Sequence, residues 1–315
     1  MADWREWVPA RVHGENGAPR VEWVRCGGER FSRPFFEDTI WRLRRASPAR
    51  TSSPSELEAW ATESPGLRPS GFLFHLSRCG STLIGRMLGA LPRCRVLSEA
   101  TPLDDVLRLA VRGQASESQA ADWLCASMSA LGQPVREERE LFVKWDCWNV
   151  HQLPLIRRAF PVTPWVFLYR DPVEVLVSQM RIPGLWTVPG ELEEPLRGGA
   201  DPGAPREEYV AQLLAGICRA ALDANATLVN YTELPAMVPE RLARHFGMDL
   251  AEREQREMIA AARFDAKQPS MDFAADGAAK RRLATGRVHA AVESWMAGIY
   301  EEMEDRRKNG QGLGD

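Results

Sequence analysis

From Gly71 onward the chain alternates short, almost wholly apolar runs with segments of helical periodicity, and few folds accept that texture. Five runs carry it: Phe72 to Leu76, Cys94 to Ser98, Leu141 to Trp145, Trp165 to Tyr169 and Ala226 to Asn230. A strand that is apolar on both sides has to be covered on both faces, which is the condition of a parallel sheet. Helical patterns fill the gaps over Thr82 to Leu91, Ala120 to Leu131, Pro154 to Ala159, Pro172 to Met180 and Tyr209 to Ala224. The last of these sets Val210, Leu213, Leu214, Ile217 and Ala221 on one face. The repetition predicts an α/β fold, a three-layer sandwich with a central parallel sheet of about five strands and helices on both faces.

Residues 1–66 have a different character. They are rich in Trp, Arg and Pro, hold two strand-like runs (Trp7 to Val12, Val21 to Arg25) and a helix over Phe36 to Arg45, and read as an N-terminal accessory segment. Ala46 to Pro69, with four Ser-Pro or Arg-Pro breaks, reads as a connector with one helical turn. Residues 67–305 form the expected α/β domain, helical beyond Pro235 and ending in Val288, Val292, Trp295, Ile299 and Met303 at helical spacing. Residues 306–315 read as a flexible tail. Thr187 to Pro205 holds four Pro and four Gly in nineteen residues, too long for a simple connector, and reads as a mobile lid or a disordered insertion.

Composition narrows the function classes. With 40 Lys and Arg against 43 Asp and Glu, and no long basic run, the chain is not built to wrap nucleic acid through many phosphate contacts. No stretch approaches the roughly 20 apolar residues that span a bilayer, and MADWREWVPARV is charged where a signal peptide is apolar. The expectation is a cytoplasmic protein with no membrane or nucleic-acid partner; nothing in the sequence marks an oligomeric state. The 6 cysteines include no C-x-x-C pair and the 5 histidines no i, i+4 pair, so buried thiols and no metal site are expected.

In open α/β sheets ligands bind beyond the carboxyl ends of the strands. After the first run comes Ser77-Arg78-Cys79-Gly80-Ser81-Thr82 and then a helix. Gly80 can take positive φ in the tight turn, and the first helical turn leaves the N–H groups of Gly80, Ser81, Thr82 and Leu83 without intrahelical partners. Those donors, with the positive end of the helix dipole, make an anion cradle. Arg78 adds a charge and Thr82 a hydroxyl. A lone helix cap at Ser81 is the plain alternative. The loop is of P-loop type but lacks the Lys of G-x-x-x-x-G-K-[ST]. It fails a cysteine phosphatase pattern too, since Cys79 to Arg86 is one residue too long and His75 is not adjacent to the Cys.

After the fourth run comes Arg170-Asp171-Pro172-Val173-Glu174, with Ser178 farther along the helix. Asp171 is a fitting N-cap, Pro172 stands at the first helical position and Glu174 is placed to complete a capping box, so these three are assigned structural roles. Ser178 lies seven residues beyond Asp171, close to two turns, so Arg170 and Ser178 can bracket one anion.

These two loops together resemble those of sulfotransferases that use 3'-phosphoadenosine 5'-phosphosulfate (PAPS). In that family a Ser-Arg-x-Gly-Ser-Thr or Pro-Lys-x-Gly-Thr-Thr loop holds the 5'-phosphosulfate, and an Arg with a later Ser holds the 3'-phosphate. The match is nearest to the Ser-Arg-x-Gly-Ser-Thr branch, which includes carbohydrate and tyrosylprotein sulfotransferases, and it covers residues 70 to 235. The resemblance implies a PAPS site made of Arg78, Cys79, Gly80, Ser81, Thr82, Leu83, Arg170 and Ser178. Cys79 stands where Ser or Thr is commoner, and no Arg-Lys-Gly loop is evident. Lys267, Lys280 and Arg281 are candidates for that part, though at helical positions they read as a solvated face.

The resemblance also implies a general base, Glu99, after the second run, and a cation near the transferring group, Lys144, at the end of the third. Lys144 interrupts an apolar run and needs an anionic partner, for which Asp146 is available. His151 is the second candidate base, and Trp186 and Asp146 are candidate acceptor contacts. Asn230-Tyr231-Thr232-Glu233-Leu234 resembles the family's Tyr-Glu-Asp-Leu element, which places Tyr231 near the nucleotide. The implied reaction moves a sulfuryl group in line from PAPS to a hydroxyl or amine of a small-molecule or carbohydrate acceptor, with Glu99, Lys144 and Arg78 as catalytic residues and no metal required. A small-molecule P-loop kinase and a non-catalytic nucleotide-binding module are the alternatives.

Overall fold

The computed structural model describes residues 4–15, 18–31, 33–263 and 277–314. In chain order its first elements are β1 (Trp7–Glu15), β2 (Ala18–Arg25), α1 (Phe36–Ala46), β3 (Arg50–Ser52), α2 (Pro54–Glu63), β4 (Pro69–His75), α3 (Ser81–Gly89) and β5 (Cys94–Ser98). There follow α4 (Thr101–Val111), α5 (Glu117–Leu131), β6 (Glu140–Lys144), α6 (Leu153–Ala159), β7 (Trp165–Tyr169), α7 (Pro172–Arg181), α8 (Arg206–Asp223) and β8 (Thr227–Asn230). Helices complete the chain: α9 (Ala243–His245), α10 (Glu252–Ala261), α11 (Gly277–Arg282), α12 (Gly286–Trp295) and α13 (Ala297–Arg306).

Five strands form one sheet in the order β5-β6-β4-β7-β8, with β5 parallel to β6 and β7 parallel to β8. The expected parallel sheet with helices around it is present, and four of the apolar runs match strands to within one residue at either end. All five residues of β7 are buried, as double-sided covering requires.

β1, β2 and β3 form a second, antiparallel sheet. It accounts for the aromatic N-terminus: Trp4 stacks on Trp23 with centroids 4.4 Å apart, and Trp23 Nε1 donates to Ser52 Oγ at 2.9 Å. The connector expected over Ala46 to Pro69 instead holds β3 and the ten-residue helix α2. Pro54 does not break that helix but starts it, because its missing N–H costs nothing at the first position, and Ser53 and Glu56 close a capping box in front of it.

By proximity the chain divides into two compact units. One comprises Met1–Phe72, Gly85–Trp145 and Gln152–Pro164; the other Leu73–Ile84, Asp146–His151 and Trp165–Asp315. In the second, the helix expected to run through Val288 and Met303 is broken at Met296, which separates α12 from α13. Glu304 of α13 accepts from Tyr169 Oη at 2.5 Å, Asn230 Nδ2 at 2.7 Å and Arg307 Nη2 at 2.9 Å. Burial raises this carboxyl, but the hydrogen bonds from Arg307, Tyr169 and Asn230 outweigh it and hold it at about 2. Beyond α13, Gly312 bridges Leu228 and Leu313 is buried.

The segment 187–205 is held in place by turns. Its chain folds through the short helical turn Glu194–Arg197, buries Leu192, Leu196 and Ala200, and is pinned where Asp201 N–H donates to Gln212 Oε1 at 2.7 Å. The disordered alternative is therefore excluded. Its polar, Gly- and Pro-rich composition hides three apolar anchors that only the folded chain supplies.

Candidate active site

The loop between β4 and α3 is bent by its backbone. Ser77, Arg78 and Gly80 have φ of 63, 51 and 95°. Non-glycine residues rarely adopt positive φ, and such strain concentrates at functional sites. Among the described residues only four non-glycines do so: Ser77, Arg78, Glu99 and Asn225. Three of the four thus belong to the cradle or are the candidate base.

Gly80 is needed for space as well as for its φ. A Cβ there would lie 2.9 Å from both Leu234 Cδ1 and Tyr231 Cδ2. At the start of α3 the Leu83 N–H donates to Gly80 O at 3.0 Å, so Leu83 does not offer the donor expected of it. The N–H groups of Gly80, Ser81 and Thr82 have no acceptor among the described residues. Cys79 is fully buried and its Sγ donates to Leu168 O at 3.3 Å, so its side chain serves the sheet and its backbone the loop.

Three contacts fix the loop to its surroundings. Ser77 N–H donates to His75 Nδ1 at 3.0 Å, and Arg78 Nη2 donates to Ile182 O at 2.8 Å. Buried Gln179 of α7 donates from Nε2 to Ser77 Oγ and accepts from Gly184 N–H, each at 3.0 Å. Gln179 was not singled out in the sequence; a polar residue that is buried one position after Ser178 is legible only once the helix is placed.

Arg170 follows β7, the strand beside β4, and its guanidinium stacks 4.0 Å from the centroid of Tyr231. Tyr231 therefore touches both anion motifs, Gly80 on one side and Arg170 on the other. Asp171 caps α7 as expected, accepting from Val173 N–H at 2.9 Å and Glu174 N–H at 3.3 Å. Glu174 does not complete a capping box. Its carboxylate is buried, takes Arg170 Nε and Nη2 at 2.5 Å, and meets Arg281 Nη1 at 2.7 Å. The stronger demand is that of a buried guanidinium for a counter-charge.

Arg281 also reaches Asp171 Oδ2 at 3.3 Å, and Lys280 is buried, so this helix is not the solvated face its sequence suggests. Lys267 lies outside the described residues. Ser178 is half-buried on α7, two turns from Asp171.

In the other unit, Lys144 is 2% exposed and its Nζ lies 2.8 Å from Glu99 Oε1 and 4.9 Å from the centroid of Phe35. Glu99 is thus the anionic partner that the burial of Lys144 demands. Glu99 N–H donates to Lys144 O at 2.7 Å, which extends the β5–β6 ladder by one step before the chain turns through positive φ.

The remaining candidates cluster around the turn after β6. Asp146 N–H donates to Asn149 Oδ1 at 3.0 Å. Burial pushes His151 down to about 4, so its imidazole is neutral near pH 7, and Nε2 has no partner among the described residues. A Cβ on Gly198 would lie 2.8 Å from His151 Cε1, so the 187–205 segment covers this ring. Trp186 is buried with its ring 6.2 Å from that of Trp148. Among the described residues no group of three or more His, Cys, Asp or Glu is placed to hold a metal ion, and no helix is long and apolar enough to cross a membrane.

The parallel sheet thus carries a lysine-free, phosphate-type loop after β4 and a buried arginine after the neighbouring strand β7. A family model described as the sulfotransferase family matches residues 72–252, and the chain belongs to that family. It is an enzyme of the PAPS-dependent sulfotransferase class. Among solved structures, a sulfotransferase from Mycobacterium avium is similar at 14% identity over 79% of this chain and 80% of its own, with a TM-score of 0.44. One from Alicyclobacillus acidocaldarius is similar at 15% identity over 76% and 99%, TM-score 0.40. Retinol dehydratase, in a complex with retinol and PAP, is similar at 14% identity over 86% and 94%, TM-score 0.35. No curated protein sequence matches the chain.

Proposed function

We propose that the chain transfers a sulfuryl group in line from PAPS to a hydroxyl or amine of a small-molecule or carbohydrate acceptor, and that Glu99 takes the acceptor's proton. The observation that carries this reading is the cradle: three unclaimed N–H groups at Gly80, Ser81 and Thr82, with Arg78 in the same loop and buried Arg170 beyond the Tyr231 ring. The donor set suits an anion at each end, and Gly80 lets Tyr231 and Leu234 close against the loop.

When bound, PAPS supplies a sulfuryl group already joined to a good leaving group. The residues of the chain do the rest by position and charge. Glu99 accepts the proton as the acceptor's oxygen or nitrogen attacks, and Lys144 holds that carboxylate in place. Arg78 and the loop N–H groups stabilise negative charge on the departing phosphate. Arg170, Ser178 and Arg281 hold the far phosphate. Arg170 and Arg281 already share Glu174, and Arg281 also meets Asp171, so an arriving phosphate exchanges for a carboxylate, and the half-exposed Arg281 is the one free to turn. A sulfuryl group carries one negative charge fewer than a phosphoryl group, so side-chain cations suffice for it.

Glu99→Gln tests the assignment. Turnover of PAPS, followed as PAP formation in the presence of acceptor, should fall by about 10²- to 10⁴-fold, the usual worth of a general base. PAP affinity should stay within about twofold of the native value, a change of about 0.4 kcal/mol at most. Full turnover in this variant removes Glu99 from the mechanism.

A further inference from the structure

We propose that Glu304 is a positioning residue for the nucleotide site: from α13 its carboxylate fixes where the Arg170–Tyr231 stack stands, and so sets the grip on the far phosphate. The inference rests on the reading of Arg170 as the group that receives that phosphate.

Arg170 and Tyr231 are the first residues beyond two paired strands. Tyr169 ends β7, Asn230 ends β8, and the two are partners in the parallel register. Glu304 Oε1 takes a hydrogen bond from each of them, from Tyr169 Oη at 2.5 Å and from Asn230 Nδ2 at 2.7 Å. One carboxylate oxygen thus holds the residue before Arg170 and the residue before Tyr231. The guanidinium and the ring that follow stand 4.0 Å apart.

The turn that carries Tyr231 is tied to the same carboxylate. Asn230 Oδ1 accepts from Thr232 N–H at 2.9 Å and Asn230 N–H donates to Glu233 Oε2 at 2.9 Å, which closes the turn Tyr231–Glu233 at both ends. Glu233 meets Arg241 Nη2 at 2.7 Å and Arg307 Nη1 at 3.3 Å, and Arg307 Nη2 donates to Glu304 Oε2 at 2.9 Å. Glu304 therefore reaches both ends of the turn, Asn230 directly and Glu233 through Arg307.

A carboxylate is a costly way to fasten a helix. Its desolvation offsets much of what its bonds return, and apolar packing of the same volume holds a helix as well. What the bonds add is direction, because each donor must point at its oxygen. Direction matters here because Arg170 is 4% exposed and held by Glu174, so the strand end rather than a swing of the side chain decides where its guanidinium lies.

The test is calorimetry on the full chain with PAP and with adenosine 5'-phosphate, which lacks the second phosphate. The native protein should bind PAP about tenfold or more tightly, the worth of hydrogen bonds to a charged group. Glu304→Ala should lose about tenfold in PAP affinity and less than about twofold in affinity for adenosine 5'-phosphate, a coupling in the range of neighbouring residues. Tyr169→Phe, which removes one donor and keeps the ring, should lose about threefold for PAP. Arg306→Ala removes the bond that ties α13 to Leu222 O but touches neither Tyr169 nor Asn230, and should change neither affinity.

If Glu304→Ala binds PAP as the native protein does, or weakens both nucleotides equally, Glu304 only fastens the helix and the inference is overturned. The same holds if Arg306→Ala weakens PAP as much as Glu304→Ala. Should Glu304→Ala fail to fold, Tyr169→Phe decides, and native PAP affinity in that variant overturns the inference. If the native protein does not prefer PAP to adenosine 5'-phosphate, the reading of Arg170 is what fails, and this inference goes with it.

Discussion

The donor loop at 77–83 and the strip at 182–188 are joined by hydrogen bonds yet built on opposite principles. The loop leaves its backbone unspent: Ser77, Arg78 and Gly80 take positive φ, the N–H groups of Gly80, Ser81 and Thr82 have no acceptor among the described residues, and the side chain of Cys79 is buried out of the way. The strip turns its backbone polar groups inward and shows side chains. In the proposed function the loop recognises charge through N–H groups that any side chain leaves in place.

Gly80→Ala should have the largest effect on the polar half. The substitution strains a residue at φ 95° and drives a Cβ into Tyr231 and Leu234. With strain of about 1 to 3 kcal/mol concentrated where the N–H groups must point, PAP affinity should fall by about a hundredfold, measured by calorimetry. The protein should remain folded, since the loop lies outside the core strands. Near-native PAP affinity would mean that the cradle does not depend on this turn.

The ring covered by the 187–205 segment should respond to acid. His151 is held near 4 by burial under the Gly198 turn, against an ordinary value near 6.5. Between these values the unfolded chain binds a proton that the folded chain refuses, so stability rises with pH and is lost as pH falls through that window. On going from pH 8 to pH 5 the native protein should lose about 2 kcal/mol more than His151→Asn, read from urea unfolding at each pH. Equal losses would show that His151 does not titrate as its burial requires.

Much of this was legible in the sequence. The five apolar runs gave the sheet because strands covered on both faces have no polar side to confuse the pattern, and the Ser77 to Thr82 loop is a local feature that its own residues specify. What escaped depends on long-range partners. Glu174 suits a capping box locally, but buried Arg170 takes it in the fold. Arg281 lies more than a hundred residues from Asp171, and no periodicity reveals that pair. Pro54 reads as a break in the sequence but starts a helix, because a helix start and a helix stop use the same residue and differ in what precedes it. Glu99 enters as a candidate base through resemblance alone, and its ion pair with Lys144 is not legible in the sequence, since Asp146 stands nearer.

The most direct test of the central claim, that the chain grips a doubly phosphorylated adenosine at two points, is the thermal shift produced by PAP without Mg²⁺. At PAP near a hundred times its dissociation constant the native protein should gain about 2.7 kcal/mol of stability, and Arg170→Ala should lose most of that gain. No shift with PAP, or a shift seen only with Mg²⁺ and ATP, would contradict the account.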